Sequence, residues 1–368
     1  MKITAVRTAL VDVPFETPVR TSIHHISSVG CVLVSIETDA GVTGEGYLWS
    51  LGARRLDVLN AMVLSLADHV VGLDPHDTAA FWAAMWRDVN FFGHKGIPVF
   101  AISAIDMACW DLVGKANDKP VHKLLGATRD RVKAYHSGGL WVSMPVDDLV
   151  AQARQFVADG FGAVKIRLGK PSVAEDVERV AAVREAIGSD IDLMADANQG
   201  FDVNHAIRLG RALEPYNLAW FEEPVMAYDL EGSARVAAEI DAPVASGETE
   251  YTRYGFRDML ERKSADVLMP DLQRVGGVSE FVKVAHMAEA FDVPVSPHTF
   301  TEHSLPLCGA LTNVSYSEYM PWFEPLFNET LELADGCFLI PDRPGLGFTF
   351  NNAAVERYRI AADGGTLT

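Results

Sequence analysis

The sequence of 368 residues predicts an α/β protein in which a small α+β unit precedes a barrel of alternating strands and helices. Two observations lead to this prediction. Near the N-terminus, β-branched residues recur at strand spacing over residues 2–13 and 31–38, and helical patterns follow. From about Arg131 onward, short apolar runs of strand length alternate with single helices, which is typical of parallel βα units.

The N-terminal unit is predicted to contain a small antiparallel sheet followed by helices. A turn at Gly41 and residues 44–46 separates the second strand from a short third strand. Apolar residues then recur at helical intervals over residues 55–67 and 77–89. The most apolar stretch, residues 99–113, is interrupted by Asp106 and Asp111, so we expect a buried helix rather than a membrane span.

The second unit contains eight candidate strands, each separated from the next by a helix. They lie at residues 132–135, 164–167, 191–195, 218–221, 244–246, 267–270, 293–296 and 314–319. One intervening helix is predicted from Val173, Val177, Val180, Val183 and Ile187, which fall three or four residues apart. Eight parallel strands are the number that closes a TIM-type barrel, so we expect a single barrel domain.

The composition excludes several classes of protein. Apolar residues make up 49% of the chain and charged residues 22%, as in a soluble globular protein with a large core. The net charge of −19 repels nucleic acid and anionic lipid, and we expect neither a nucleic acid nor a membrane as partner. Four scattered cysteines without a CxxC pair, and an N-terminus without a signal-peptide pattern, favour a cytoplasmic location.

Ionisable side chains fall at or just after the ends of successive predicted strands. They are Lys165, Asp196, Glu222, Glu248, Asp271, His298 and Glu324, spaced by 23 to 31 residues. In such a barrel the carboxyl ends of all strands open onto one face, so we expect these side chains to converge on one pocket. A single residue of this kind is more commonly part of a solvated loop, but seven in phase with the repeat indicate a site.

Three of these residues, Asp196, Glu222 and Glu248, are carboxylates on consecutive strands. Brought together, they would repel one another unless a cation lay between them. Oxygen ligands without Cys or His favour Mg²⁺, with Mn²⁺ as a substitute, over zinc. Because side chains alternate along a strand, only one of Glu222 and Glu223 is expected to face the barrel axis, and we assign Glu222 to the metal.

The proton-transfer candidates are His298 and Asp271, which lie at neighbouring strand ends. A carboxylate in that place can orient the imidazole ring and raise its basicity, so we predict His298 as a general base paired with Asp271. Lys165 and Arg167 lie two residues apart on one strand, and both can face the pocket. Cations there would bind a substrate carboxylate and stabilise the negative charge that develops on it.

Taken together, the motifs resemble those of the enolase superfamily, specifically its mandelate racemase subgroup. They are Lys165-x-Arg167, Asp196-x-Asn198, Glu222-Glu223-Pro224, Gly247-Glu248, Pro270-Asp271, Gly276-Gly277, His298 and Glu324, with residues 104–115 upstream. The resemblance implies a modified TIM barrel of the (β/α)7β type under an α+β capping domain. Residues 1–125 would form the cap, residues 126–330 the barrel, and residues 331–368 a segment that returns to the cap. The resemblance also suggests a homo-oligomer.

The resemblance also implies a chemistry. Members of the superfamily abstract a proton next to a carboxylate and form an enediolate with the help of Mg²⁺. By position, Asp196, Glu222 and Glu248 would be the Mg²⁺ ligands and His298, paired with Asp271, the base. Glu324 would be an acid that donates to the substrate carboxylate.

One position departs from the subgroup's pattern. Members that racemise usually carry Lys-x-Lys on the second strand, where the second lysine is the base opposite the histidine, and here that position is Arg167. Guanidinium is a poor proton acceptor, which argues against racemisation, although Lys165 could act as a second base. We therefore predict dehydration of an acid sugar to a 2-keto-3-deoxy acid. The alternatives are a racemase, epimerase or cycloisomerase acting on a hydroxy acid or related carboxylate, and a non-catalytic binding protein on the same scaffold.

Two polar segments of the cap are predicted to approach the substrate. The first contains Thr21, Ser22, His24, His25, Ser27 and Ser28, and the second, residues 90–95, contains His94 and Lys95. His24, His25, His94 and Lys95 are candidate substrate contacts, together with Asn198 on the barrel. Polar lids suit a polyhydroxylated acid, whether mono- or dicarboxylate, better than an aromatic one.

Overall fold

The structure is a computed structural model, and it describes residues 1–360 and 365–367. The capping domain is built on three antiparallel strands: β1 (Ile3–Arg20), β2 (His25–Thr38) and β3 (Thr43–Leu51). Its helices are α1 (Leu56–Leu66), α2 (Thr78–Asp88), α3 (Ile97–Ala116) and the short α4 (Val121–Leu124). Strands β1 and β2 are longer than predicted because they continue as one hairpin past an irregularity between Pro14 and Val19.

By length and composition alone, helix α3 could cross a membrane. In the structure, however, 78% of its most apolar 18-residue stretch is buried inside the protein. It packs closely on β3, since a Cβ added at Gly44 would lie 2.1 Å from the carbonyl oxygen of Ala108. The two acids that interrupt its apolar run are buried and have hydrogen-bond partners. Asp106 accepts hydrogen bonds from Ser279, and Asp111 accepts one from the backbone N–H of Leu346. The helix therefore belongs to the core and ties the cap to the barrel.

The barrel sheet is closed by parallel pairing. Its strands are β4 (Arg131–His136), β5 (Ala163–Arg167), β6 (Asp192–Asp196), β7 (Trp220–Glu222), β8 (Val244–Ser246), β9 (Val267–Leu268) and β10 (Ser317–Tyr319). Strands β4 to β9 pair in chain order, and β10 pairs with β4. The strand predicted at residues 293–296 is reduced to single bridges from Val295 to Leu268 and Val314. Pro294 and Pro297 flank this bridge and have no N–H to donate to a ladder.

Helices follow the barrel strands as the sequence predicts. They are α5 (Val146–Ala158), α6 (Val173–Ile187), α7 (Val203–Leu213), α8 (Leu230–Glu239), α9 (Thr252–Arg262), α10 (Leu272–Val275), α11 (Val278–Glu289) and α12 (Thr301–Ala310). Helix α6 has the predicted bounds. It begins at a capping box formed by Ser172 and Glu175 and ends before Gly188, whose φ is 76°.

The C-terminal segment reaches the cap in two steps. Strands β11 (Leu333–Ala334) and β12 (Cys337–Leu339) first add to the barrel sheet, with β12 antiparallel to β4. Helix α13 (Asn352–Tyr358) then leads to a bridge between Arg359 and Val11 of β1, and β13 (Gly365–Leu367) extends the capping sheet beside β1. The predicted boundary at residue 331 thus lies ahead of two strands that pair with the barrel.

Aromatic residues close the interface between cap and barrel. Tyr47 packs on Phe300 with ring centroids 4.6 Å apart, and Trp49 packs on Phe323 at 5.6 Å. The backbone N–H of Trp49 donates to Oε1 of Gln273 at 2.7 Å. These contacts hold β3 over the carboxyl ends of the barrel strands, and the site lies between the two.

Candidate active site

A cavity of about 330 Å³ lies between the cap and the carboxyl ends of the barrel strands. The barrel contributes the ionisable and amide side chains of its wall: Arg167, Asp196, Asn198, Gln199, Glu223, Glu248, Gln273, Arg274 and His298. The cap contributes Thr21, Ile23, His24, Ile26, Trp49, Ser50, Leu51, Arg55 and Phe100. Residues that are far apart in the sequence therefore meet at this edge, as parallel strands require.

The three predicted metal ligands form one cluster. Asp196 ends β6, Glu222 ends β7 and Glu248 follows β8, and one oxygen of each lies within 4.8 Å of the others. Burial and repulsion from Asp196 raise the pKa of Glu222 to about 8. Three carboxylates in such surroundings fit a hard divalent cation, which would offset their mutual repulsion.

Glu222 and Glu223 have different surroundings, as alternation along a strand predicts. Glu222 Oε1 lies 2.6 Å from Nζ of Lys165, and its Oε2 accepts from the indole of Trp220 at 2.8 Å. Glu223 lines the cavity and accepts a hydrogen bond from Gln199 at 2.9 Å. Burial and repulsion from Glu248 raise the pKa of Glu223 well above its ordinary value. Glu223 is thus a cavity residue in its own right, which the sequence analysis did not expect.

The predicted histidine and aspartate are in direct contact. His298 Nδ1 lies 2.8 Å from Asp271 Oδ2, and its Nε2 lies 3.4 Å from Glu248 Oε2. Burial lowers the pKa of His298, but Glu248 and the bond to Asp271 outweigh that effect and raise it to about 9. The ring is therefore held through Nδ1, and its Nε2 lies beside one of the metal-ligand candidates.

Arg274 fixes the carboxylate of this pair. Its backbone N–H donates to Asp271 Oδ1 at 3.0 Å, and its Nη1 lies 3.2 Å from Oδ2. Burial by itself raises the pKa of Asp271, yet Arg274 and His298 together lower it below the ordinary value. The sequence analysis does not predict Arg274. Its position three residues after Asp271, at the start of a helix, could have indicated this ion pair, because residues three apart on a helix lie side by side.

Lys165 and Arg167 are both paired with carboxylates. Lys165 Nζ lies 2.6 Å from Glu222, 3.1 Å from Glu318 and 3.6 Å from Asp196. Arg167 Nη1 lies 2.5 Å from Asp196 Oδ2, and its Nη2 donates to Ser137 at 2.9 Å. Burial lowers the pKa of Lys165, but Glu222 and Glu318 outweigh it and raise the pKa. Both side chains are therefore held in ion pairs within the site, and the guanidinium of Arg167 is in any case a poor proton acceptor.

The structure corrects the prediction for Glu324, which does not line the cavity. It begins a 3-10 turn (Glu324–Leu326) beyond β10 and accepts a hydrogen bond from the hydroxyl of Tyr319 at 3.0 Å. Glu318, inside β10, takes the eighth strand-end position, 20 residues after His298. The spacing misleads because the last βα unit is shorter than the others, with 20 residues from His298 to Glu318 against 23 to 31 in the earlier units.

Glu318 does not fit the acid role predicted for Glu324. Its Oε2 accepts from the backbone N–H of Thr299 at 2.6 Å, and its Oε1 lies 3.1 Å from Lys165 Nζ. Although burial raises the pKa of Glu318, Lys165 and His298 outweigh that effect and lower it. An ionised carboxylate has no proton to donate, so Glu318 instead holds Lys165 and the backbone beside His298 in place.

The first predicted lid segment reaches the cavity only in part. His24 lines it, whereas His25, at the start of β2, is exposed and lies outside it. Ser22 anchors the segment to the barrel, since its hydroxyl donates to the carbonyl of Ala197 at 2.6 Å. The neighbouring Asn198 also lines the cavity and donates to Asp196 Oδ2 at 3.0 Å.

The second predicted lid segment does not reach the cavity. His94 stacks on Trp86 with ring centroids 3.7 Å apart, and Lys95 Nζ donates to Glu250 at 2.8 Å. Both residues line a separate surface groove together with Tyr254. Polarity alone misled the prediction, because it does not determine which way a loop turns relative to the barrel.

Comparison with known protein families agrees with the fold and the site. Residues 3–126 match the model for the mandelate racemase / muconate lactonizing enzyme N-terminal domain, and residues 148–354 match the enolase C-terminal domain-like model. The chain belongs to the mandelate racemase/muconate lactonizing enzyme family. The family and the fold class predicted from the motifs are thereby confirmed.

Relatives within this family carry out related reactions on acid sugars. L-talarate/galactarate dehydratase of Salmonella typhimurium is 37% identical over 356 residues, which cover 95% of this chain and 89% of the relative. Arabinonate dehydratase of Saccharolobus solfataricus is 32% identical, over 89% and 90% of the two chains. The 3,6-anhydro-alpha-L-galactonate cycloisomerase of Streptomyces coelicolor is 36% identical, over 96% and 99%.

The Salmonella enzyme has also been solved with Mg and L-lyxarohydroxamate bound. That structure covers 100% of this chain and 94% of its own, at 36% identity and a TM-score of 0.93. The magnesium in this neighbour and the carboxylate cluster in the present chain confirm the prediction of a Mg²⁺ cofactor.

Proposed function

We propose that the protein is a Mg²⁺-dependent acid-sugar dehydratase that converts its substrate to a 2-keto-3-deoxy acid. The observation that carries the proposal is the asymmetry of the bases. His298 is held by Asp271 with its Nε2 beside Glu248, whereas Lys165 and Arg167 are cations paired with carboxylates. One base suffices for dehydration in its simplest form, while inversion of a stereocentre needs proton transfer on both faces.

The residues present divide the work of such a reaction. Asp196, Glu222 and Glu248 would hold Mg²⁺, which supplies the concentrated positive charge that makes the proton next to a carboxylate acidic enough to remove. Glu248 is the main cause that raises the pKa of His298, and a cation bound by Glu248 would offset its charge. The neutral ring then takes the α-proton at Nε2, and Asp271 stabilises the resulting imidazolium through Nδ1. The same imidazolium then returns the proton to the β-hydroxyl as its C–O bond breaks. Water leaves, and the remaining enol tautomerises to the 2-keto acid.

A cycloisomerase is the second candidate, favoured by the 36% identity to the Streptomyces relative of that name. It differs from a dehydratase in its product, because an isomerisation loses no water. A racemase or epimerase is less well supported, since Arg167 is tied to Asp196 and Ser137 where a second base is needed.

The test is a panel of mono- and dicarboxylic acid sugars with Mg²⁺, with 2-keto acids detected by semicarbazide. We expect at least one substrate to give a 2-keto acid, and the variant His298→Asn to abolish the reaction. Exchange of the α-hydrogen in D₂O without formation of a keto acid would replace the dehydratase by an isomerase. Product formation that survives in His298→Asn would contradict the assignment of the base.

We also propose that the protein is a cytoplasmic homo-oligomer. All four cysteines are free, and three of them are buried, which suits a reducing compartment.

The proposal of an oligomer rests on the surface. Phe91 is 96% exposed and Phe92 75% exposed, beside the groove that contains His94 and Tyr254. Aromatic side chains clustered in this way are typical of surfaces that a partner covers.

A further inference from the structure

Three arginines line the cavity, and two of them already have carboxylate partners in the protein. Arg167 pairs with Asp196, and Arg274 pairs with Asp271. Arg55 differs, because its guanidinium makes no hydrogen bond or ion pair within the part of the chain that the structure describes. It is exposed to solvent at the cap side of the cavity.

The backbone of the cap positions Arg55 at this wall. Gly52, with a φ of 69°, redirects the chain at the end of β3, and its N–H donates to the carbonyl of Ser28 at 2.9 Å. The 3-10 turn Ala53–Arg55 follows, and Leu56 is buried directly after it. The backbone on either side of Arg55 is therefore anchored, by the hydrogen bond of Gly52 and by the burial of Leu56. The side chain of Arg55 lines the cavity.

The cap wall carries charge of one sign. Within the part of the chain that the structure describes, the cap residues that line the cavity include no carboxylate, and Arg55 is the permanent cation among them. The opposite wall, on the barrel, holds Asp196, Glu223 and Glu248. An unpaired guanidinium facing a cavity is placed to bind an anionic group of a ligand, because a carboxylate matches its fork of donors.

We infer that Arg55 recognises a second carboxylate at the far end of the substrate, so that the protein prefers dicarboxylic over monocarboxylic acid sugars. The inference deepens the proposed function and rests on it for the position of the first carboxylate. That carboxylate belongs at the barrel wall, beside the metal-ligand cluster and His298. The rest of the substrate then extends toward the cap, where Arg55 lies. A monocarboxylic substrate has a terminal CH₂OH in place of the second carboxylate, so the guanidinium of Arg55 forms no ion pair with it and remains solvated by water.

The test compares a hexarate with the hexonate of the same configuration, such as glucarate with gluconate and galactarate with galactonate. In wild type, Arg55→Met, Arg55→Lys and Arg54→Met, the ratio of kcat/KM for the dicarboxylate to that for the monocarboxylate is measured with Mg²⁺. We expect Arg55→Met to lower this ratio about tenfold or more, the size of a charge-assisted bond. Arg55→Lys retains part of the preference. Arg54→Met is the matched control, because Arg54 is exposed in the same turn but does not line the cavity.

A binding measurement separates this inference from the proposed function. Calorimetric titration of the same pairs into His298→Asn, with and without Arg55→Met, reports recognition without turnover. Tighter binding of the dicarboxylate that depends on Arg55, when the wild-type protein forms no 2-keto acid from any of these acids, supports the inference and overturns the dehydratase. Turnover with a ratio that Arg55→Met leaves unchanged overturns the inference alone. Equal or weaker binding of the dicarboxylate in both backgrounds also overturns it.

Discussion

Arg167 illustrates how much one side chain decides at the scale of single residues. A lysine in its place would carry a point charge that can be deprotonated, whereas the guanidinium remains charged and bonds to two partners at once. In the structure those partners are Asp196 and Ser137. A guanidinium at this position thus makes a positioning contact to a candidate metal ligand, and this contact is the basis of the single-base reaction proposed above.

Mg²⁺ binding should depend on pH through Glu222. Without metal, burial and Asp196 raise the pKa of Glu222 to about 8, and a carboxyl must lose its proton before it can ligate. Below pH 8 the proton competes with the metal, so we expect the affinity to fall by up to about tenfold per pH unit between pH 8 and 6. Calorimetry in buffers of different ionisation enthalpy should show proton release on binding. Affinity that is flat over this range would contradict the prediction.

Glu318 and Glu324 form a second test at this scale. Glu318→Gln removes a carboxylate that holds Lys165 and the backbone of Thr299, so we expect kcat to fall about tenfold or more. Glu324→Gln changes a residue outside the cavity, and its kcat should stay within about twofold of wild type. Circular dichroism and Tm of both variants check that the fold is kept. A larger fall of kcat in Glu324→Gln than in Glu318→Gln would show that Glu324 acts in the site after all.

Helix α12 carries ionisable side chains into the interior of the protein. All ten of its residues are buried, where it meets Tyr47 of the cap. Burial and repulsion from Glu324 raise the pKa of Glu302 to about 8, and burial lowers the pKa of His303 to about 3. Both side chains are therefore neutral inside the protein at neutral pH. Wherever the unfolded chain can ionise such a group and the folded protein cannot, the free energy of unfolding becomes smaller.

The contribution of Glu302 to the stability of the protein should consequently fall as the pH rises. The unfolded chain releases the Glu302 proton near pH 4.5, whereas the folded protein keeps it up to about pH 8, so the contribution of Glu302 is complete below pH 4.5 and lost on approaching pH 8. Glu302→Gln has no such proton. We expect its free energy of unfolding, relative to wild type, to improve by about 4 kcal/mol from pH 5 to pH 8. Urea titrations at several pH values measure this difference, and a constant difference would refute the assignment.

At the scale of the whole molecule, the site exists only because two units meet. The barrel supplies the carboxylates and His298, and the cap supplies the opposite wall of the cavity. Helix α3 links the units through Asp106 and Asp111, and the C-terminal segment returns to β1. A net charge of −19 surrounds this cavity, so its local cations must attract an anionic substrate against the overall field.

The proposed homo-oligomer gives a prediction at the same scale. Phe91 and Phe92 are largely exposed in the monomer, and their burial in an interface would stabilise the assembly by the hydrophobic effect. Replacing both by serine should shift the protein toward smaller species at micromolar concentration, as measured by light scattering after gel filtration. Tyr228→Ser, another exposed aromatic, is the matched control. A wild-type monomer, or equal effects of the two variants, would exclude this surface.

Much of the barrel and its site could be predicted from the sequence because both follow local periodicity. Strand-length apolar runs set the strands, and the residues just after them, Asp196, Glu222, Glu248, Asp271 and His298, converge wherever parallel strands close a barrel. The motifs at these ends also determined the family. The spacing failed at Glu324, since a shorter final unit moved the strand end to Glu318.

Only the tertiary structure decided what faces this cluster across the cavity. His94 and Lys95 turn away to a surface groove, while Arg55, without any motif of its own, lines the cavity. Loops are positioned by packing between elements that are distant in sequence, and no local pattern encodes that packing. The sequence by itself therefore determined the fold, the family and the position of the chemistry. The packing of the cap on the barrel decided that Arg55 lines the cavity, where it faces the far end of a bound substrate in our proposal.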